Sequence, residues 1–156
     1  MLLRPWILAL GFMLSLPLYA QDLEVGSAWI RSAPPGVPLA GYMMLHNPSS
    51  DTLELVGAEA DGFANTMIHT TRMVDGLMKM EHVHSVEIPA GGNAAFEPGG
   101  LYLMLMKPDD TPEPGDMVSV TLKFANGSSQ SVMFHVKHPD EAMEMDHSGH
   151  GGTTQE

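Results

Sequence analysis

The sequence predicts an all-β domain, a Greek-key sandwich or barrel, on three observations. Short apolar or alternating runs recur along the chain, each bounded by Gly, Pro, Asn or Asp clusters. Several of those clusters are hairpin signals: Asp75-Gly76, Gly91-Gly92 and Asn126-Gly127. No stretch sustains a helical period of apolar residues. With 156 residues the chain has room for one domain with a proper core and not for two of ordinary size.

The first twenty residues, MLLRPWILALGFMLSLPLYA, read differently. Arg4 opens a short basic start, an apolar run extends from Trp6 to Leu16, and Ala20 offers a cleavage point. This is the pattern of a secretory signal peptide spanning residues 1–20, which leaves a mature chain starting at Gln21. The apolar run is shorter than a membrane span of about 20 residues, so no stable membrane insertion is expected after cleavage. The chain has no cysteine, so burial and hydrogen bonding must supply the stability that disulfides often supply outside the cytosol. A formal charge of −12 argues against a nucleic-acid partner, which requires clustered Lys and Arg.

Strands are expected in order. Leu23 to Arg31 ends at the proline-rich segment from Ala33 to Pro38, where missing N–H donors stop a ladder. Gly41 to His46 is apolar enough to be buried and closes at Asn47-Pro48-Ser49-Ser50-Asp51. Thr52 to Ala60 continues the style. Met67 to Val74 and Leu77 to His84 flank Asp75-Gly76, and this turn sets Val74 opposite Leu77, Thr71 opposite Met80 and His69 opposite His82. Alternation then puts Met78, Met80, His82 and His84 on one face of the second strand. Short strands follow around Val86 and Ala94, each ending at a Gly-rich turn. Leu101 to Met106 presents Tyr102, Met104 and Met106 on one side and Leu101, Leu103 and Leu105 on the other, so it is expected to be buried on both faces. Asp116 to Phe124 and Ser129 to Val136 form the closing hairpin. Residues 21–138 make the β domain. From 139 to 156 the composition turns acidic, glycine-rich and aperiodic, which predicts a flexible tail.

Chemistry concentrates between Met67 and Met106. Thioethers and imidazoles together suit Cu(I), a soft ion, better than hard oxygen-seeking ions. Taken singly, His69 reads as a hydrogen-bonded surface or half-buried residue, and Met73, Met78, Met80, Met104 and Met106 read as packing. Spacing changes the balance: ten residues separate His69 from Met80, and twenty-one separate Met80 from Tyr102-Leu103-Met104. No nucleophile–base pair, phosphate loop or paired carboxylate site is visible, so an enzyme is not expected.

On these residues the chain resembles the periplasmic copper chaperone family PCu(A)C, whose motif is His, ten residues, Met, twenty-one residues, His-x-Met. The likeness extends through AWIRSAPPGVPLAGYM, GLMKM, VEIPAGG and EPGGLYLMLM. It implies a cupredoxin-like β-barrel that binds Cu(I) through His69, Met80 and Met104. It further implies a periplasmic copper chaperone serving cytochrome c oxidase CuA assembly, with an oxidase CuA subunit or a Sco-type chaperone as acceptor. Tyr102 departs from the motif by replacing its second histidine, and a neutral phenol is a poor Cu(I) ligand. His82 and His84 are candidate replacements. Alternatively Tyr102 packs over a three-ligand site, or tight core binding has been lost. Met143, Met145, His147 and His150 form a second candidate set in the tail, where the imidazoles would also suit Cu(II). Two other functions fit the same residues: a copper-sequestering resistance protein, and a metal-free β-sandwich interaction module for oxidase assembly.

Overall fold

The computed structural model describes residues 23–144, with side chains up to Glu141. The expected signal peptide therefore lies outside the described residues, as do Met145, His147 and His150 and the side chain of Met143. Ten strands and one short helix follow in order: β1 (Glu24–Arg31), β2 (Leu39–His46), β3 (Leu53–Ala60), β4 (Phe63–Val74), β5 (Leu77–His82), β6 (Val86–Ile88), β7 (Asn93–Phe96), β8 (Leu101–Pro108), β9 (Met117–Phe124), β10 (Ser129–Lys137) and α1 (Pro139–Glu144). The helix is a departure from the helix-free expectation. Proline at its first position and Asp140 and Glu141 in its first turn suit a helix N-terminus, where missing donors and negative charge are tolerated.

All ten strands belong to one sheet in the order β5-β4-β8-β7-β2-β1-β10-β9-β3-β6. Strands β3 and β4 stand far apart in that order, yet only Asp61 and Gly62 separate them in sequence. The sheet must therefore curl back on itself, and it does so around one apolar core. Ile30, Leu45, Leu55, Leu103, Leu105, Val120, Leu122 and Phe134, drawn from six strands, are fully buried there. Gly41 on β2 also faces the core: a Cβ would lie 3.3 Å from Leu105 and 3.5 Å from Phe134, so even a methyl group would press on the packed side chains. The sheet does not close, and β5 and β6 remain as its edges. First and last strands lie side by side, β1 pairing parallel with β10 and antiparallel with β2.

The Asp75-Gly76 turn behaves as the dipeptide predicts. Both residues have positive φ, 53° and 78°, which matches the twist of a two-residue hairpin. The resulting register sets Val74 against Leu77, Thr71 against Met80 and His69 against His82, as expected. The strand is shorter than expected: β5 ends at His82, and His84 lies beyond it in a bend. Between β7 and β8, the Pro98-Gly99-Gly100 turn carries the chain along β2, which pairs with β7 through Met43–His46 and with β8 through Leu39–Gly41.

Asn47 is the polar anchor of the core edge. Fully buried, its Nδ2 donates to the carbonyls of Asp51 at 2.8 Å and Ile88 at 3.0 Å, and its Oδ1 accepts from the Ser49 hydroxyl at 2.7 Å. One side chain thus ties the β2–β3 loop to the end of β6. Replacing Asn47 by Ala strands those partners, so we expect a loss of about 3 kcal/mol in unfolding free energy by urea denaturation, with the strand signal in circular dichroism retained.

Candidate metal-binding face

Strand pairing places His69 at the centre of the candidate site. On β4 it faces Tyr102 of β8 on one side and His82 of the edge strand β5 on the other. Directly paired residues share a face, and the intervening residues Ile68 and Leu103 point into the core. His82, His69 and Tyr102 therefore form an outward row across three strands. The His69 ring lies 5.6 Å from that of His82 and 5.9 Å from that of Tyr102, both edge-to-face. His82 in turn stands 4.6 Å from His84.

The two methionines flank this row. Met80 pairs with Thr71, one outward position to one side, and Met104 pairs with Met67, one outward position to the other. Both, together with Tyr102, line a groove of about 400 Å³ on the outer face, bordered by Tyr42, Arg31 and the Pro98–Gly99 turn. His69 stands beside that groove and is not among its lining residues. Three of the expected ligands are thus on one face with their thioethers spread around the imidazole. Methionine side chains have three rotatable bonds and can adapt to an ion held at His69.

Packing is not the explanation for most methionines of this face. Met80 is 67% exposed, and Met73 and Met78, expected as filler, are exposed as well. Met104 is half-buried. Met67 was missed by the sequence reasoning; its signal was the two-residue spacing from His69, which places it on the same face opposite Met104. Tyr102 is buried as expected, at 8% exposure.

Two polar atoms of the row are buried without a hydrogen-bond partner: His69 Nδ1 and the Tyr102 hydroxyl. A buried donor without an acceptor costs free energy, which favours the tautomer carrying its proton on Nε2 and leaving a bare lone pair on Nδ1. Burial also holds the His69 imidazole below its ordinary pKa of 6.5, and His82 adds in the same direction. The ring is accordingly neutral near pH 7. Burial raises the Tyr102 phenol above its ordinary 10.0, with Tyr42 adding to the effect, so it remains un-ionised. Among the described residues no three His, Asp or Glu side chains gather to hold a metal. The donor set is soft: one imidazole lone pair and thioethers, a combination that fits Cu(I).

A curled, all-β domain with a methionine- and histidine-bearing outer face is the class the geometry defines, and its fold is cupredoxin-like, as in PCuAC domains. The chain belongs to the family described as "Putative lipoprotein LpqE-like", whose model matches residues 23–136. A relative, "Putative lipoprotein Lxx21020" of Leifsonia xyli subsp. xyli, is 34% identical over 119 residues, covering 76% of this chain and 71% of its own. The Cu(I)-bound solution structure of DR1885 from Deinococcus radiodurans is 31% identical, with a TM-score of 0.61 over 77% of this chain and 81% of that one. A copper-bound PCuAC domain from PmoF2 shares the fold at 18% identity, with a TM-score of 0.62 over 75% of this chain and 93% of that one. No helix among the described residues is long and apolar enough to cross a membrane.

Two tests address the row itself. Because the folded-state pKa of His69 is depressed, its contribution to stability is present above 6.5 and is lost as pH falls. Unfolding free energy of the metal-free protein should therefore drop more steeply between about pH 7 and about pH 5 than that of His69→Asn. Removing the unpartnered hydroxyl in Tyr102→Phe should leave stability unchanged or raise it by up to about 1 kcal/mol, measured by chemical denaturation.

Proposed function

We propose that the protein is an exported copper chaperone that takes up Cu(I) through His69, Met80 and Met104 and passes it on by ligand exchange. The observation carrying this reading is the buried, partnerless Nδ1 of His69 between two methionine positions. Each donor has a distinct part. His69 offers a neutral nitrogen lone pair, and the two thioethers bind a soft ion without ionising or forming disulfides. Tyr102 stays a neutral phenol, and as a buried wall of the groove it limits water on one side of the ion.

A three-donor arrangement suits transfer, because it leaves an open coordination position on the ion for an incoming ligand. Copper-bound relatives of the same fold support copper as the cargo. The resemblance to the PCu(A)C family points to an oxidase CuA subunit or a Sco-type chaperone in the periplasm as the acceptor. The negative charge of the chain favours approach of a cation. His82, paired beside His69, stands nearest as a further nitrogen donor, and Met143, Met145, His147 and His150 offer a tail set that would also take Cu(II). The activity is carriage, not catalysis.

X-ray absorption at the copper edge tests the reading. Loaded with one equivalent of Cu(I), a version ending at Pro139 should show sulfur and nitrogen neighbours. Its affinity, from competition with a chromophoric chelator, should fall by at least about tenfold in His69→Ala and in Met104→Ala. In Tyr102→His, an added imidazole should raise affinity by about tenfold or more. Unchanged affinity in both alanine variants would rule out the core site.

A further inference from the structure

We propose that His84 and His82 form an imidazole relay by which copper enters and leaves the site at His69. This inference rests on the proposed Cu(I) site and adds a route to it. His69 Nδ1 is buried, so an ion held by an acceptor cannot reach it directly. His82 and His84 are exposed, one at the end of the edge strand β5 and one in the bend beyond it. Their rings stand 4.6 Å apart, and His82 stands 5.6 Å from His69.

Those separations are short enough for neighbours to share an ion. With metal–nitrogen bonds of about 2 Å, two imidazoles on one ion place their ring centres within about 6.5 Å. His84 with His82, and His82 with His69, both meet that limit. The three do not converge as a single cluster able to hold a metal. Copper would thus be handed from pair to pair, each pair offering two nitrogen donors. At each step one Cu–N bond forms as another breaks. The ion remains Cu(I), and each step exchanges one Cu–N bond for another, so neither an oxidant nor a reductant is required. Met80, two residues from His82 on the same face of β5, receives the ion at the inner end.

A path lowers the barrier between two states without altering their difference, so it must change uptake and release alike. The test uses the full chain and stopped-flow transfer from a Cu(I)–bicinchoninate complex, with equilibrium affinity measured in parallel on His84→Asn, His82→Asn and His69→Ala. Far-UV circular dichroism confirms folding, since both relay residues are exposed. In His84→Asn, uptake and release should each slow by about tenfold while affinity stays within about threefold. His82→Asn should slow both at least as much. Unchanged rates in both asparagine variants overturn the relay. Faster release with unchanged uptake also overturns it, because it marks the histidine as a resident ligand. If His69→Ala binds Cu(I) as tightly as the unsubstituted chain, the core site itself fails, and the relay falls with it on that separate ground.

Discussion

The pairing of β4 with β8 is the constraint on which the remainder of this molecule depends. It sets Ile68 against Leu103 and His69 against Tyr102 in adjacent positions. Since successive side chains of a strand point to opposite faces, one pair closes the apolar core and the other is driven onto the outer surface. A slip of β4 by one residue would bury the imidazole and expose Ile68, so the burial free energy that holds the fold also holds the outward row in place. The site needs no separate scaffold. It is the reverse side of the core.

That economy has a consequence at the sheet's edge. All six residues of β5 are exposed, on both of its faces. The β4–β5 hairpin therefore extends beyond the core and is held chiefly by its ladder and its turn. Lys79 and Glu81 alternate with Met78, Met80 and His82, and Glu81 reaches Arg72 of β4 at 3.9 Å. Such surface pairs contribute little, but charges along a free edge discourage pairing with another chain. Local opening of this hairpin costs less than opening of the core strands. A donor strand that moves easily is what spread thioethers require if they are to gather around one ion and later release it.

Tyr102 shows how burial decides what a substituted residue can do. Its hydroxyl lies in the row without a hydrogen-bond partner, and desolvation keeps it protonated. It can occlude the site but cannot add a negative oxygen ligand at neutral pH. The same desolvation acts oppositely on His69, where it removes the charged form and leaves the lone pair. One environment thus makes a poor ligand poorer and a good ligand better.

Much of this was legible in the chain. The Asp75-Gly76 pair specified a hairpin register that the structure reproduces, because both residues tolerate the positive φ that a two-residue turn demands. Alternation along Leu101–Met106 placed Tyr102 and Met104 on the face opposite Leu103 and Leu105, as in the structure, but burial on both faces was expected and Met104 and Met106 are only half-buried. Where local pattern was a poor guide, a tertiary neighbour decided. Met73 and Met78 look like core residues by composition, yet their strands have run past the core and no layer covers them. Met67 acquires its place only because β8 sets Met104 opposite it. His84 continues the alternation in sequence, but the ladder ends at His82.

By itself, then, the sequence determined the all-β class, the turns and the candidate donors, since each follows from local backbone preference or side-chain chemistry. Only the tertiary structure decided that β8 lies beside β4 and β2, that the donor face is the outer one, and that His69 Nδ1 is buried beside Tyr102. Those outcomes depend on which distant strands pair, and pairing is selected by the fit of a whole apolar core, which no local stretch of the chain encodes.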